Sequence, residues 1–240
     1  METTKTNIVG IDYSTTSPSI CVRVRDNWDI HYLTTKQTVV DENWVSPFLF
    51  FGHKLPKIQH EITRYKFISS WAMDIIDSYD AEAVFLEDYA FAATGKVFHI
   101  GENTGILKYR LLSRDIPVFQ VPPTVIKKFA TGKGNAKKDL MLSNFITSTG
   151  CDVREVLNYA GENPVSDIVD SYFISMKTIF IFLLLSTDID MTLDATAVYG
   201  LQTLEQCNFI LETVKGEFNA TDGYCYDDSS GDIHTKFGSS

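Results

Sequence analysis

Four carboxylates stand out by where they fall. Asp12 closes the apolar run of "NIVGIDYSTTSPSI", residues 7–20, and Glu87 closes the apolar part of "AEAVFLEDYAF". Asp167 and Asp170 lie three apart in "SDIVDSYFIS", so on a helix they share one face. Hard oxygen ligands of this kind suit Mg2+ or Mn2+. Two such ions, about 4 Å apart, can clamp the attacking water and the leaving oxygen of a phosphodiester. Singly, each acid has an ordinary place. Asp12 could start a turn, Glu87 and Asp88 could be a solvated strand end, and acids suit a helix N-terminus through its dipole. Three such coincidences in the right order along the chain favour one site.

Cations accompany the acids. The net charge of the 240 residues is −10, but it is unevenly spread. Residues 186–240 carry ten acids and two bases, whereas residues 106–138 carry eight bases and a single acid, Asp115. Five lysines, at 127, 128, 133, 137 and 138, fall in a stretch with no acid from 122 to 138. Each lysine alone is ordinary solvated surface; together they suit phosphate contacts on one face.

Elements must bring these groups together. "TNIVGIDYS" predicts a buried strand, and "SPSICVRVRD" alternates Ile20, Val22 and Val24 against Cys21, Arg23 and Arg25 as a half-buried strand does. Asp26-Asn27 marks a turn, and "WDIHYLTT" returns as a third strand, making an antiparallel meander. Residues 36–58, with Trp44, Phe48, Phe50 and Phe51, read as an irregular insertion loop. A helix over 59–78 follows, with Ile62, Tyr65, Ile68, Ala72, Ile75 and Ile76 on one face. "AEAVFLEDYAF" is the fourth strand, 97–114 a helix, and "IPVFQV" the fifth strand. Thr124 to Ala130 is a short helix, Asn135 is expected to cap the next one to Thr149, and Asn163-Pro164 opens a last helix over 164–183. The run Ile179–Leu185 is read as the end of that buried helix, far short of the roughly 20 residues of a membrane span. Residues 186–240 predict an acidic extension, part helix over 195–214 and part disordered tail.

The order β-β-β-α-β-α-β-α-α-α describes an α/β fold. Its expected form is a ribonuclease H-like mixed five-stranded sheet flanked by helices, with domains at 1–185 and 186–240. An actin-like ATPase would need two such domains and a second Gly-rich phosphate turn. It would also need Gly where Ser14 stands, for close backbone approach to phosphate. "ATGKGNAKKDL" does not meet the P-loop pattern. The four cysteines, Cys21, Cys151, Cys207 and Cys225, form no CxxC pair, which argues against a zinc knuckle and for reduced thiols in an intracellular protein. The N-terminus does not read as a signal peptide. The histidines lack metal-ligand spacing; His99 could reach a substrate, but a lone His is more often structural or solvated.

At this point the chain resembles the RuvC family of Holliday junction resolvases. "VGIDYS" resembles the family's first strand with its catalytic Asp, and "FLEDYAF" the strand ending in the catalytic Glu, followed by an aromatic-bearing loop. The pattern K-x4-G-x-G-x-A-x-K is present with Lys127, Gly132, Gly134, Ala136 and Lys138, and "SDIVDSYFIS" resembles the closing D-x-x-D helix. The resemblance covers residues 6–183.

It implies a homodimer that binds a four-way DNA junction and makes two symmetric nicks. It implies two Mg2+ per active site, replaceable by Mn2+, on Asp12, Glu87, Asp167 and Asp170. Lys127 and Lys138 would contact DNA near the scissile phosphate, with Lys133 and Lys137 beside them. The aromatic of the Glu87 loop is offset, with Tyr89 and Phe91 flanking Ala90; one of them could stack on an unpaired junction base, or both could pack in the core. The enlarged 36–58 region and the acidic extension resemble phage or viral relatives, and the extension could dock a protein partner. Three alternatives stay open: a relaxed nuclease of flaps and forks, a junction-binding protein with a dead site, and a structural or interaction protein acting through the acidic tail.

Overall fold

The structure, a computed structural model, describes residues 8–24, 27–37, 41–81, 83–88, 97–176, 179–185, 194–201, 222–227 and 233–237. It divides into two units, Met1–Ser175 and Met176–Ser240, ahead of the boundary expected at residue 185.

The first unit is a mixed sheet with helices on both faces. Its strands are β1 (Ile8–Asp12), β2 (Ser19–Val24), β3 (Asn27–Thr34), β4 (Asn43–Val45), β5 (Phe48–Lys54), β6 (Ala83–Glu87) and β7 (Val118–Val121). They lie in the order β4-β5-β3-β2-β1-β6-β7. The expected ribonuclease H-like five are the run β3-β2-β1-β6-β7: an antiparallel meander joined to two parallel strands. Two further strands make the sheet seven-stranded, which corrects the reading of 36–58 as an insertion loop. β5 pairs in parallel with β3, and β4 closes on β5. The aromatics explain this. Phe48 and Phe50 are fully buried, and Phe48 packs against Phe145 and Tyr172 with ring centroids 5.4 and 5.6 Å apart.

One face of the sheet carries α1 (Glu61–Ser78) and α2 (Val97–Leu112). Val9, Ile11, Ile20 and Val22 meet Ile68, Ala72, Met73, Ile76, Leu107 and Leu111 there. Ile62, expected on the buried face of α1, is instead 63% exposed. The other face carries α6 (Val165–Ser175), which crosses β1 at Gly10. A Cβ on Gly10 would stand 2.5 Å from the Ser175 nitrogen and 2.6 Å from the Ser171 oxygen, so only glycine admits the helix this closely.

Three helices link β7 to α6: α3 (Pro123–Thr131), α4 (Lys138–Thr149) and a short α5 (Val153–Val156). Proline opens α3 near its N-terminus, and Gly132 closes it at φ 74°, its amide donating to the Lys128 carbonyl at 2.8 Å. The cap of α4 is the extended backbone of Lys137 rather than Asn135, and no side chain bonds there.

α6 ends at Ser175, and Ile179–Leu185 is a strand, β8, not the end of a helix. In the second unit β8 pairs with β9 (Asp194–Leu201) on one side and β10 (Asp222–Asp227) on the other, with β11 (Ile233–Phe237) beyond β10. β9 replaces the first part of the helix expected over 195–214; the rest of that span lies outside the described residues. A seven-residue apolar run carries no periodicity to separate helix from strand, and Ile179–Leu185 is rich in the residues that fill a strand. Among the described residues no helix is long and apolar enough to cross a membrane.

Candidate active site

Sheet register brings the first two acids together. β1 and β6 run parallel with Ile11 beside Leu86, so Asp12 and Glu87, each one residue further on, end neighbouring strands. α6 lies across β1 and β2 and brings Asp167 and Asp170 to the same place. Asp12 is 8% and Asp167 5% exposed, while Glu87 and Asp170 are partly buried.

The four acids perturb one another. Burial, first of all, pushes Asp12 well above the usual carboxylate range, and repulsion from Asp167, Glu87 and Asp170 adds to it. Glu87 is pushed up to about 8, by burial and then by Asp170, against the pull of Lys127. Asp170 is pushed up to about 7 by burial and Asp167, with Lys138 and Lys127 opposing. Asp167 reaches about 6, because burial is offset by a hydrogen bond from Ser17 and by Lys138. Asp12 and Asp167 act on each other most directly, each in the other's field.

The cations come from the α3–α4 segment. Lys127, on α3, acts on Glu87 and Asp170. Lys138, the first residue of α4, is clamped at the entry to α6. Its ammonium stands 2.5 Å from Glu162 Oε1, 3.2 Å from Ser166 Oγ and 3.5 Å from Asn163 Oδ1. Burial works against the charge on Lys138, but Glu162 and the site acids outweigh it and raise its pKa. Lys133 and Lys137 lie exposed on the same α3–α4 connection. Tyr89 and Phe91 lie outside the described residues.

His99 Nδ1 lies 3.2 Å from Glu61 Oε2 and 3.7 Å from Glu102 Oε2. Cys21 and Cys151 are buried free thiols, and burial pushes the Cys21 thiol up to about 12.

Sequence reasoning missed the polar residues around the acids. Ser17 Oγ donates to Asp167 Oδ2, and Ser19 Oγ and Ser171 Oγ lie 3.0 Å apart. Glu162, Asn163 and Ser166 gather on Lys138. The serine-rich turn "STTSPS" was visible, but nothing local names its partners.

The donor set is all hard oxygen, close enough for mutual repulsion, and so of the type a divalent cation takes. Among the described residues no three His, Cys, Asp or Glu side chains close on a single point in the manner of a finished ion cage. Buried like charges raise one another's pKa, as the four acids do here.

No protein-family model matches the chain. It is 31% identical over 117 residues to the crossover junction endodeoxyribonuclease RuvC of Chlamydia abortus, covering 47% of this chain and 66% of that one. It is 31% identical over 136 residues to the same protein of Chlamydia trachomatis serovar L2, covering 55% of this chain and 75% of that one. The chain spans 64–66% of the length of the first three curated relatives. Among solved structures, Thermus thermophilus RuvC in complex with a Holliday junction substrate aligns with a TM-score of 0.46 at 16% identity, over 71% of this chain and 91% of that one. The yeast mitochondrial Holliday junction resolvase Ydc2 aligns with 0.45 at 13% identity, over 71% and 76%. With its Asp, Glu and D-x-x-D acids on the elements that the resemblance assigned, and with this identity across three quarters of a curated relative, the chain belongs to the RuvC family of crossover junction endodeoxyribonucleases.

Proposed function

We propose that the chain is a metal-dependent endonuclease that resolves four-way DNA junctions by paired symmetric nicks. The observation that carries this is the meeting of four carboxylates from three elements, Asp12, Glu87, Asp167 and Asp170, flanked by Lys127 and Lys138. Such a group of mutually repelling buried acids is costly for folding alone, and a divalent cation relieves the cost.

Asp12, Glu87, Asp167 and Asp170 would hold two Mg2+, or Mn2+ in their place. When bound, such ions activate a water for in-line attack and stabilise the departing 3′ oxygen of the phosphodiester. The chain's own residues do the rest. Lys127 and Lys138 meet the negative phosphate on the α3–α4 side and steady its charge. The rigid ends of β1 and β6 keep Asp12 and Glu87 in fixed register. Exposed Lys133 and Lys137 extend the cationic surface for sequence-independent backbone contacts.

Paired nicking needs two active sites, and α2 offers a face for a second copy. Phe98, Tyr109 and Leu112 are 80, 74 and 63% exposed. With Gly101 and Gly105 they fall on one stripe of the helix, and a Cβ on either glycine would meet nothing within 4 Å. This open apolar stripe with a flat centre suits packing against its own symmetry mate.

The test is strand-labelled cleavage of an immobile four-way junction, a flap, a Y-fork and linear duplex in Mg2+, with wild type and Asp12→Asn. Expected are symmetric paired nicks on the junction, lost in Asp12→Asn while junction binding persists. Equal cutting of flaps and forks would replace the reading with a general branch nuclease. Unchanged cleavage by Asp12→Asn would remove the assigned site.

A further inference from the structure

We infer that Ser17 is a positioning residue for the metal site: it sets the carboxylate of Asp167 through its hydroxyl. The inference rests on the metal-dependent reading above. Ser17 is 4% exposed and lies in the connection between β1 and β2, 150 residues away from its partner in sequence. Its Oγ donates to Asp167 Oδ2. The residue is itself held, because its amide donates to Ser14 Oγ at 3.0 Å.

A second contact fixes the register of the first. Two residues on, Ser19 Oγ lies 3.0 Å from Ser171 Oγ, and Ser171 is one helical turn after Asp167. Each hydroxyl also reaches a backbone carbonyl, Ser171 Oγ the Ile168 oxygen at 2.9 Å and Ser19 Oγ the His31 oxygen at 3.3 Å. Ser17 and Ser19 thus grip Asp167 and Ser171 as two adjacent points along one line of α6, and Gly10 receives the helix at the next turn, by Ser175.

The grip separates the two helix acids. Asp167 is buried, with one oxygen engaged by a hydroxyl that can only favour its ionised form. Asp170 is partly exposed and interacts with Glu87, Lys127 and Lys138. Ser17 therefore holds Asp167 in one orientation, so that a single oxygen is left for the metal side. Groups that orient a ligand in this way affect metal affinity strongly when removed.

The test is Mn2+ binding by isothermal titration calorimetry on the full chain, with the melting temperature of the metal-free protein measured alongside. Ser17→Ala is expected to weaken Mn2+ binding by about 10–100-fold, with the metal-free fold retained. Ser17→Thr, which keeps the hydroxyl, should bind close to wild type, and Ser17→Cys, which keeps the volume with a weak donor, should follow Ala. Should Ala destroy the fold, the Thr and Cys pair decides. Wild-type affinity in both Ala and Cys would overturn the inference, as would equal loss in Thr and Cys, since packing would then be the cause. A wild type with no Mn2+ site that Asp12→Asn removes would overturn the metal reading itself, and the inference with it.

Discussion

At the scale of single residues, burial does opposite things at two places in the first unit. Around Asp12 it gathers like charges and raises every carboxylate, the arrangement proposed above as the metal site. Around His31 it holds a neutral ring. Tyr79 donates its hydroxyl to Asp29 at 2.8 Å, so its oxygen accepts from His31 Nε2 at 2.9 Å, and Nδ1 is left bare. Phe51 stacks on the imidazole with centroids 4.5 Å apart, and His53 faces it at 6.0 Å. Burial, helped by His53, pushes His31 down to about 3. The unfolded chain takes up this proton near pH 6.5, its ordinary value, and the folded protein only near 3. Between those values the unfolded state binds more protons, so this contribution to stability is lost as pH falls. Replacing His31 by Phe removes the titration while keeping the ring. The stability of wild type relative to His31→Phe should then fall by about 1.4 kcal/mol for each pH unit below 6.5, as read from urea unfolding at a series of pH values. A constant difference would show that His31 titrates normally.

At the scale of elements, the decisive contact is α6 on β1. Alternation along β1 sends Val9 and Ile11 into the α1–α2 core and leaves Gly10 and Asp12 on the α6 side. The helix comes close enough to deliver Asp167 and Asp170 only because Gly10 has no Cβ. Gly10→Ala would drive a methyl into backbone atoms of Ser171 and Ser175, which cannot rotate away. It should cost about 1–3 kcal/mol or more of stability, seen as a lowered melting temperature. Junction cleavage should fall further than the unfolded fraction explains, because the displaced helix carries two of the acids. A variant with wild-type melting and cleavage would show that α6 has room to spare.

At the scale of the whole molecule, the exposed stripe of α2 is the face proposed above to pack against a second copy. Tyr109→Glu with Leu112→Glu places charge on surface that is already exposed, so the fold should survive. Light scattering should report a dimer for wild type and a monomer for the double variant. The variant's nicks on a junction should become unpaired, with each strand cut independently. A dimeric variant with paired nicks would move the interface elsewhere.

The sequence by itself picked out the candidate acids and determined most of the scaffold. Asp12 and Glu87 end apolar runs, Asp167 and Asp170 share a helical face, and the meander followed by alternating helices and strands sets the central five strands. These are short-range signals, written in periods of two and 3.6 residues. Tertiary structure alone decided what depends on distant partners. Phe48 and Phe50 became a strand because β3 lay free to pair and Phe145 and Tyr172 waited to be covered. Ile179–Leu185 became a strand because β9 and β10 pair with it on either side. Ser17 found Asp167 across 150 residues, and Lys138 found Glu162 across α4 and α5. A hydroxyl or an ammonium carries no period and no local preference for its partner; only the folded chain brings one within reach.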